Sequence, residues 1–258
     1  MTSTFTSYRL IARDLDATLA RKAAQPDVAR ETAYYKAKIG DVKSIDDFLG
    51  DRRLYTYAMK AYGLEDMTYA KAFMRKVLTE GVLDPRAFAN RLADDRYVAF
   101  ASAFDFDTYG AAATTRAAAT SETTTAYLRQ TLETDAGSED AGVRLALYFA
   151  RKAPTVSSGY GVLGDPALSQ VVKTVLGLPD GSSADGIASQ AAIIEKRVDL
   201  ASFKDPDKLQ RFVQRFTAIW DAQNNAASAP ILNLFADSST QGLDASLLLS
   251  LQRIRTGN

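Results

Sequence analysis

The chain has 258 residues, 31 Lys and Arg set against 31 Asp and Glu, and 47% hydrophobic and 24% charged residues, so it carries no formal net charge and holds enough apolar material for a sizeable core. It contains no cysteine and no histidine, which excludes disulfides, thiolate nucleophiles, zinc sites of the Cys/His kind and His-based acid/base dyads and triads. With no basic arm, nucleic acid is not an expected partner.

The N-terminus, Met1-Thr-Ser-Thr-Phe-Thr-Ser-Tyr8, lacks a basic region followed by an apolar one, and nowhere do about 18 consecutive apolar residues occur. Neither a Sec-type signal nor a membrane span is therefore expected.

Tyr8, Ile11, Ala12, Leu15 and Leu19 form an apolar stripe of helical spacing, and Pro26 ends or kinks that helix. A second helix is predicted from Asp27, with Val28, Tyr35 and Ile39 inward and Gly40 as its stop. Ser44 with Asp47 three residues on reads as a capping-box start. Asp51 caps the next helix, whose stripe is Leu54, Tyr57, Ala58, Ala61 and Tyr62, and Gly63-Leu64 closes it as a Schellman stop with Leu64 folding back on Met59. A helix with Phe73, Met74, Val77 and Leu78 ends at Gly81. Asp84-Pro85 then reads as a helix start, because a proline at the first helical position gives up no hydrogen bond. Asp94 or Asp95 opens a further helix bearing Tyr97, Phe100 and Phe104.

Residues 111–124 are rich in Ala and Thr and carry no aromatic residue. They are expected to be a linker between a first helical half, 1–110, and a second, 125–258, the two packed as one compact unit. In the second half a helix is predicted around Thr125 to Leu132, an acidic loop from Glu133 to Asp140, and an apolar helix with Leu145, Tyr148 and Phe149 ending at Pro154. Asp165-Pro166 opens a helix with Leu168, Val171, Val172 and Val175, closed at Gly177-Leu178-Pro179. After a loop from Asp180 to Gly186 come a helix with Ile187, Ala191, Ile194 and Val198 and another behind Asp205-Pro206 with Phe212, Val213, Phe216 and Trp220. A short apolar segment at 231–235, a loop at 238–242 and a terminal helix with Leu243, Leu247, Leu251 and Ile254 complete the chain. No sustained period-two alternation marks a strand, so the predicted fold class is all-α, a multihelical array of short amphipathic helices.

Residues 48–64 align without a gap on 162–178, matching Leu49/Leu163, Gly50/Gly164, Asp51/Asp165, Leu54/Leu168, Gly63/Gly177 and Leu64/Leu178. Thr32-Ala33-Tyr34 echoes Thr125-Ala126-Tyr127, and Asp84-Pro85 echoes Asp205-Pro206. An internal duplication explains these matches better than two unrelated capped helices do.

Candidate chemistry is sparse. Gly159-Tyr160-Gly161-Val162-Leu163-Gly164 has the G-x-G-x-x-G form but lacks the βαβ context of a dinucleotide site, and Gly164 is already explained by its mate Gly50. The acidic pairs Asp46/Asp47, Glu65/Asp66 and Asp94/Asp95 stand where carboxylates cap helices, which is favoured over metal or glycosidase roles. Asp180 to Gly186 lacks the ligand spacing of a calcium loop. The dense tyrosines Tyr34, Tyr35, Tyr55, Tyr57 and Tyr62 suit core packing with hydroxyls at the rim, with a partner-binding patch as the sharper alternative. No catalytic, metal-ligating or cofactor-binding residue is assigned.

The phrases Arg30-Glu-Thr-Ala-Tyr-Tyr, Val42-Lys-Ser-Ile-Asp-Asp-Phe-Leu, Leu54-Tyr-Thr-Tyr-Ala-Met-Lys-Ala-Tyr-Gly-Leu, Asp66-Met-Thr-Tyr-Ala-Lys-Ala-Phe-Met-Arg-Lys-Val-Leu and Phe88-Ala-Asn-Arg-Leu closely resemble an uncharacterised alphaproteobacterial family, domain of unknown function 1217. The likeness covers most of the chain and is densest at 30–106. It implies an all-helical, internally duplicated fold and, through gene neighbourhood, a link to the flagellum, and it carries over no catalytic residues. The expectation is a non-enzymatic flagellum-associated structural or assembly protein working through protein–protein contacts, cytoplasmic or exported through the flagellar apparatus. A cytosolic chaperone-like module for flagellar subunits is the alternative, and an enzyme using carboxylate, Lys or Tyr chemistry comes third.

Overall fold

The computed structural model describes residues 2–92, 94–179 and 184–224. Among them the fold is all-α, without a strand. The helices are α1 (Thr4–Ala12), α2 (Leu15–Ala23), α3 (Pro26–Lys38), α4 (Ile45–Gly50), α5 (Arg52–Ala61), α6 (Lys71–Glu80), α7 (Asp95–Ala103), α8 (Phe106–Tyr109), α9 (Thr123–Glu139), α10 (Ala141–Lys152), α11 (Gly159–Gly164), α12 (Pro166–Leu176), α13 (Ala184–Arg197) and α14 (Pro206–Asn224). The apolar segment at 231–235, the loop at 238–242 and the terminal helix expected at Leu243 to Ile254 lie outside the described residues, as do residues 180–183 of the loop expected at 180–186.

Side-chain caps set most helix starts, each accepting a backbone N–H that the first turn leaves free. Ser44 Oγ takes the Asp47 N–H at 3.1 Å, Asp51 takes that of Leu54 at 3.0 Å, and Asp165 takes those of Ala167 and Leu168. At the end of α5 the backbone turns left-handed at Gly63 (φ +69°) and Leu64 N–H reaches Met59 O at 2.9 Å, the Schellman stop expected there.

Two cores form. Tyr35, Phe48, Leu54, Phe100 and Phe104 centre the first, and Phe149, Val171, Val172, Val213 and Phe216 the second. The long α9 joins them, with Tyr127 in the first and Ala136 against the second.

Several elements depart from the sequence expectation. The single N-terminal helix is split in two, because Asp14 leaves helical geometry (φ −141°) and caps α2 through the Ala17 N–H. The first of these pieces, α1, packs on α10 and α14 and places Tyr8 in the second core, so the first half does not hold all of residues 1–110. No helix follows Asp84-Pro85. Asp84 Oδ1 takes the Arg86 N–H, Glu80 takes that of Phe88, and Asn90 donates to Val82 O and Asp84 O. These side-chain bonds offer the backbone a turn in place of a helix, and only Ala89–Arg91 forms a 3₁₀ turn.

The expected linker at 111–124 is packed structure: a 3₁₀ stretch (Gly110–Thr115) and a π-helical turn (Ala118–Glu122) that runs into α9. Its alanines Ala113 and Ala119 are small enough to sit wholly buried in the first core. Its threonines return their hydroxyls to nearby carbonyls, and Thr114 bonds Val42 O across the fold. The acidic loop at 133–140 is instead the last two turns of α9, made tolerable by Arg151, which neutralises the buried Glu133.

The bounds of several elements follow the register of the gapless alignment. Shifted by 114 positions (34 to 148, 51 to 165), α3, the 3₁₀ turn Ile39–Asp41, α4 and α5 fall on α10, the 3₁₀ turn Ala153–Thr155, α11 and α12. The caps Ser44 and Ser158, Asp51 and Asp165, and the left-handed Gly63 and Gly177 occupy equal places. The other two echoes do not. In this register Tyr34 faces Tyr148 and not Tyr127, and Asp205-Pro206 opens α14 whereas Asp84-Pro85 opens a turn.

Candidate functional site

The residues singled out from sequence do not come together into one site. Gly159–Gly164 is itself helix α11, capped by Ser158. Gly159 lies so close to α13 that a Cβ there would stand 2.4 Å from Ala191 O, so the glycine serves helix packing and leaves no room for a pyrophosphate. Asp46 pairs with Arg75 at 2.6 Å. Asp47 accepts the Lys43 N–H, and the hydroxyl of Ser44 and that backbone bond hold its carboxyl below the usual range. Glu65 and Asp66 form a 3₁₀ turn.

The tyrosines go inward. Tyr35 stacks on Tyr57 and Tyr57 on Tyr127, and burial pushes the Tyr55 and Tyr57 hydroxyls up to about 12. Of the Tyr and Lys-rich stretch 55–76, Tyr69 is the large apolar side chain left in the open.

A cleft of about 570 Å³ lies between the halves. One face of α10 forms its floor: Ala141, Arg144, Leu145, Tyr148, Arg151 and Lys152 recur at helical spacing. The end of α5 (Tyr62, Gly63), the start of α7 (Arg96, Ala99), α9 (Ala126, Gln130), the start of α12 (Asp165 to Ala167) and Trp220 of α14 make the walls. A smaller depression of about 230 Å³ continues it past Asp94, Lys152 and Asp165 toward Ser158. The site is a consequence of the tertiary arrangement: six helices contribute, and no contiguous motif marks it.

Most charges in the cleft are already engaged. Arg96 grips Asp94 through Nε and Nη2, at 2.7 Å for the shortest contact, and also donates to Gly63 O, which keeps its charge firmly on. Burial works against the charge on Arg151, but the two hydrogen bonds to Glu133, at 2.8 and 2.7 Å, outweigh it and the pKa is raised. Asp165 accepts three hydrogen bonds, from the Ala167 and Leu168 N–H groups and from the Tyr148 hydroxyl at 2.5 Å. Burial, and then that bond to a carboxylate, push the Tyr148 hydroxyl far up, so Tyr148 stays a proton donor in this contact and does not act as a base.

Arg144 and Lys152 stand apart. Both line the cleft, and neither has an ion-pair partner among the described residues. The cleft therefore offers two uncommitted cations beside apolar wall from Leu145, Ala99, Pro166 and Trp220. Among the described residues no group of three acidic side chains gathers as a metal site would require. No described helix is long and apolar enough to cross a membrane.

Residues 61–209 match the family described as "Protein of unknown function (DUF1217)". The crystal structure of a protein from Agrobacterium tumefaciens, determined as a structural-genomics target, superposes with a TM-score of 0.81, at 53% identity and covering 87% of this chain and 97% of that one. No curated protein matches the sequence.

Proposed function

The chain belongs to the family of unknown function DUF1217, and from that premise we propose that it is a non-enzymatic, flagellum-associated structural or assembly protein that acts through protein–protein contacts. The observation that carries the contact reading is the cleft between the halves. Its carboxylates are held by Arg96, by backbone N–H groups and by Tyr148, while Arg144 and Lys152, without an ion-pair partner among the described residues, stand next to apolar wall. A general acid or base needs a proton that moves near neutral pH, and Tyr148, the most perturbed hydroxyl here, is shifted away from that range. The flagellar association rests on the family resemblance.

Deletion of the gene in its own host tests this reading, with swimming scored and the protein followed in cytosol, culture supernatant and purified basal bodies. Lost or impaired swimming with the protein in basal bodies is the expected result. Cytosolic retention with lost secretion of flagellar subunits would favour a chaperone-like module. Normal flagella and normal swimming would overturn the flagellar reading altogether.

A further inference from the structure

Two cations of the first half, Arg30 and Lys38, recur at equal places in the second half, and the carboxylates beside them, Glu31 and Asp41, do not. In the first half Arg30 Nε lies 3.4 Å from Glu31 Oε1, Arg53 holds the same carboxylate at 2.9 and 3.1 Å, and Lys38 Nζ lies 3.8 Å from Asp41 Oδ2. Shifted by 114 positions (30 to 144, 41 to 155), Arg30 and Lys38 become Arg144 and Lys152, whereas Glu31 becomes Leu145 and Asp41 becomes Thr155. Arg53 becomes Ala167, a small residue on the cleft wall. The first-half face is closed electrostatically by its own acids and is open to solvent at Arg30. The second-half face is the floor of the cleft and lacks those acids.

We propose that the cleft docks an acidic, partly apolar segment of a partner protein, whose carboxylates take on Arg144 and Lys152 the places that Glu31 and Asp41 hold on Arg30 and Lys38. The inference rests on the protein-contact reading given above and names the partner's chemistry. Arg144 and Lys152 are eight residues apart on α10, or about 12 Å along the helix axis. The matching segment carries two acidic side chains at roughly that separation. Between them it carries an apolar side chain that can rest on Leu145 and reach Trp220. Charge sets the choice and orientation of the segment, and the apolar contact supplies the area that partly solvated ion pairs do not.

The test uses the full-length chain, immobilised, and a displayed library of random twelve-residue peptides. Selected peptides are then measured against the wild-type chain, Arg144→Glu, Leu145→Glu and the control Arg30→Glu. Leu145→Glu installs in the second half the carboxylate that the first half already has, beside a side chain that remains positive. The expected result is enrichment of peptides with two Asp or Glu flanking Leu, Ile or Phe. These should bind about tenfold more weakly to Arg144→Glu and to Leu145→Glu and unchanged to Arg30→Glu, as expected when like charges replace a complementary pair.

Absence of enrichment, enrichment without acids, or equal binding to Arg144→Glu would overturn the proposal. So would displacement of the selected peptides by a peptide of residues 225–258, which would give the cleft to this chain's own C-terminal segment. A failed selection beside a deletion strain that cannot swim removes the acidic partner and keeps the proposed function. A successful selection beside a deletion strain that swims normally removes the flagellar association and keeps the cleft.

Discussion

Tyr148 donates its phenolic hydrogen to Asp165 at 2.5 Å, as Tyr34, at the equal place in the first half, donates to Asp51 at 2.8 Å. In both, a tyrosine on one helix ties down the aspartate that caps the helix after next, so a helix start and a tertiary contact are fixed by one carboxylate. The second pair is the more buried: burial leads the causes that raise the Tyr148 hydroxyl, whereas at Tyr34 the hydrogen bond to Asp51 leads. Tyr148→Phe should therefore cost about 2 kcal/mol, within the range for hydrogen bonds to charged groups, and Tyr34→Phe should cost less. Urea unfolding of the two variants checks the order, and an equal or reversed loss would refute it.

Two helix-terminal glycines, one in each half, should answer oppositely to alanine. At Gly159 a Cβ meets the backbone of Ala191, which can yield only if α11 and α13 move apart, so Gly159→Ala is expected to destabilise by about 1–3 kcal/mol. At Gly50, the last residue of α4, nothing lies within 4 Å of the added atom and φ is not positive. There alanine should be neutral or stabilising by about 0.4–1 kcal/mol, chiefly through the unfolded chain. Thermal melts of the pair decide it.

Glu133 and Arg151 join α9 to α10 beneath the cleft, with the Glu133 side chain 3% exposed and that of Arg151 29% exposed. Removing one partner leaves the other charge desolvated, and Glu133→Gln should cost about 2–3 kcal/mol, less than a fully buried pair because Arg151 retains some water. The double change Glu133→Leu with Arg151→Met should recover much of that loss. Denaturation of both variants measures it, and a double variant no better than the single would show that packing and not charge is at stake.

The pH dependence follows from carboxylates and tyrosines alone, since histidine is absent. Arg53 lowers the pKa of Glu31, and the Ser44 hydroxyl lowers that of Asp47. Burial raises that of Asp51, but the Leu54 N–H and the Tyr34 hydroxyl leave it lowered. A carboxyl with a depressed folded-state pKa binds fewer protons folded than unfolded, so its stabilisation is complete above about pH 4 and is lost as pH falls below that. Tyr55 and Tyr57, pushed up to about 12 by burial, favour the folded state below about pH 10 and lose that contribution as pH climbs toward 12. The melting temperature should be flat between about pH 5 and 9 and fall on either side. A stability transition inside that window, seen by differential scanning fluorimetry, would contradict this assignment.

Much of the fold is legible in the sequence because caps and stops act locally. Ser44, Asp51, Asp165 and Gly63 each do in three dimensions what their neighbours in the chain imply. The misreadings occur where distant residues decide. Glu133 reads as loop because its partner Arg151 lies 18 positions on, and residues 111–124 read as linker because the core that accepts Ala113 and Ala119 is built by other helices. Asp84-Pro85 failed for a different reason, since Asp-Pro suits a turn as well as a helix and Glu80 and Asn90 tip the choice. The cleft left no contiguous signal. Its nearest trace is the loss of two acids, Glu31 and Asp41, beside cations that recur as Arg144 and Lys152, visible only once the 114-residue register is carried back to α3 and α10.

Swimming of a strain carrying Arg144→Glu on the chromosome tests the central claim most directly, with the protein level verified and Arg30→Glu as the matched exposed change. The account predicts that Arg144→Glu reproduces the deletion phenotype at normal protein abundance while Arg30→Glu swims as the parent does. An Arg144→Glu strain as motile as its parent, in a host where the deletion is immotile, would contradict it.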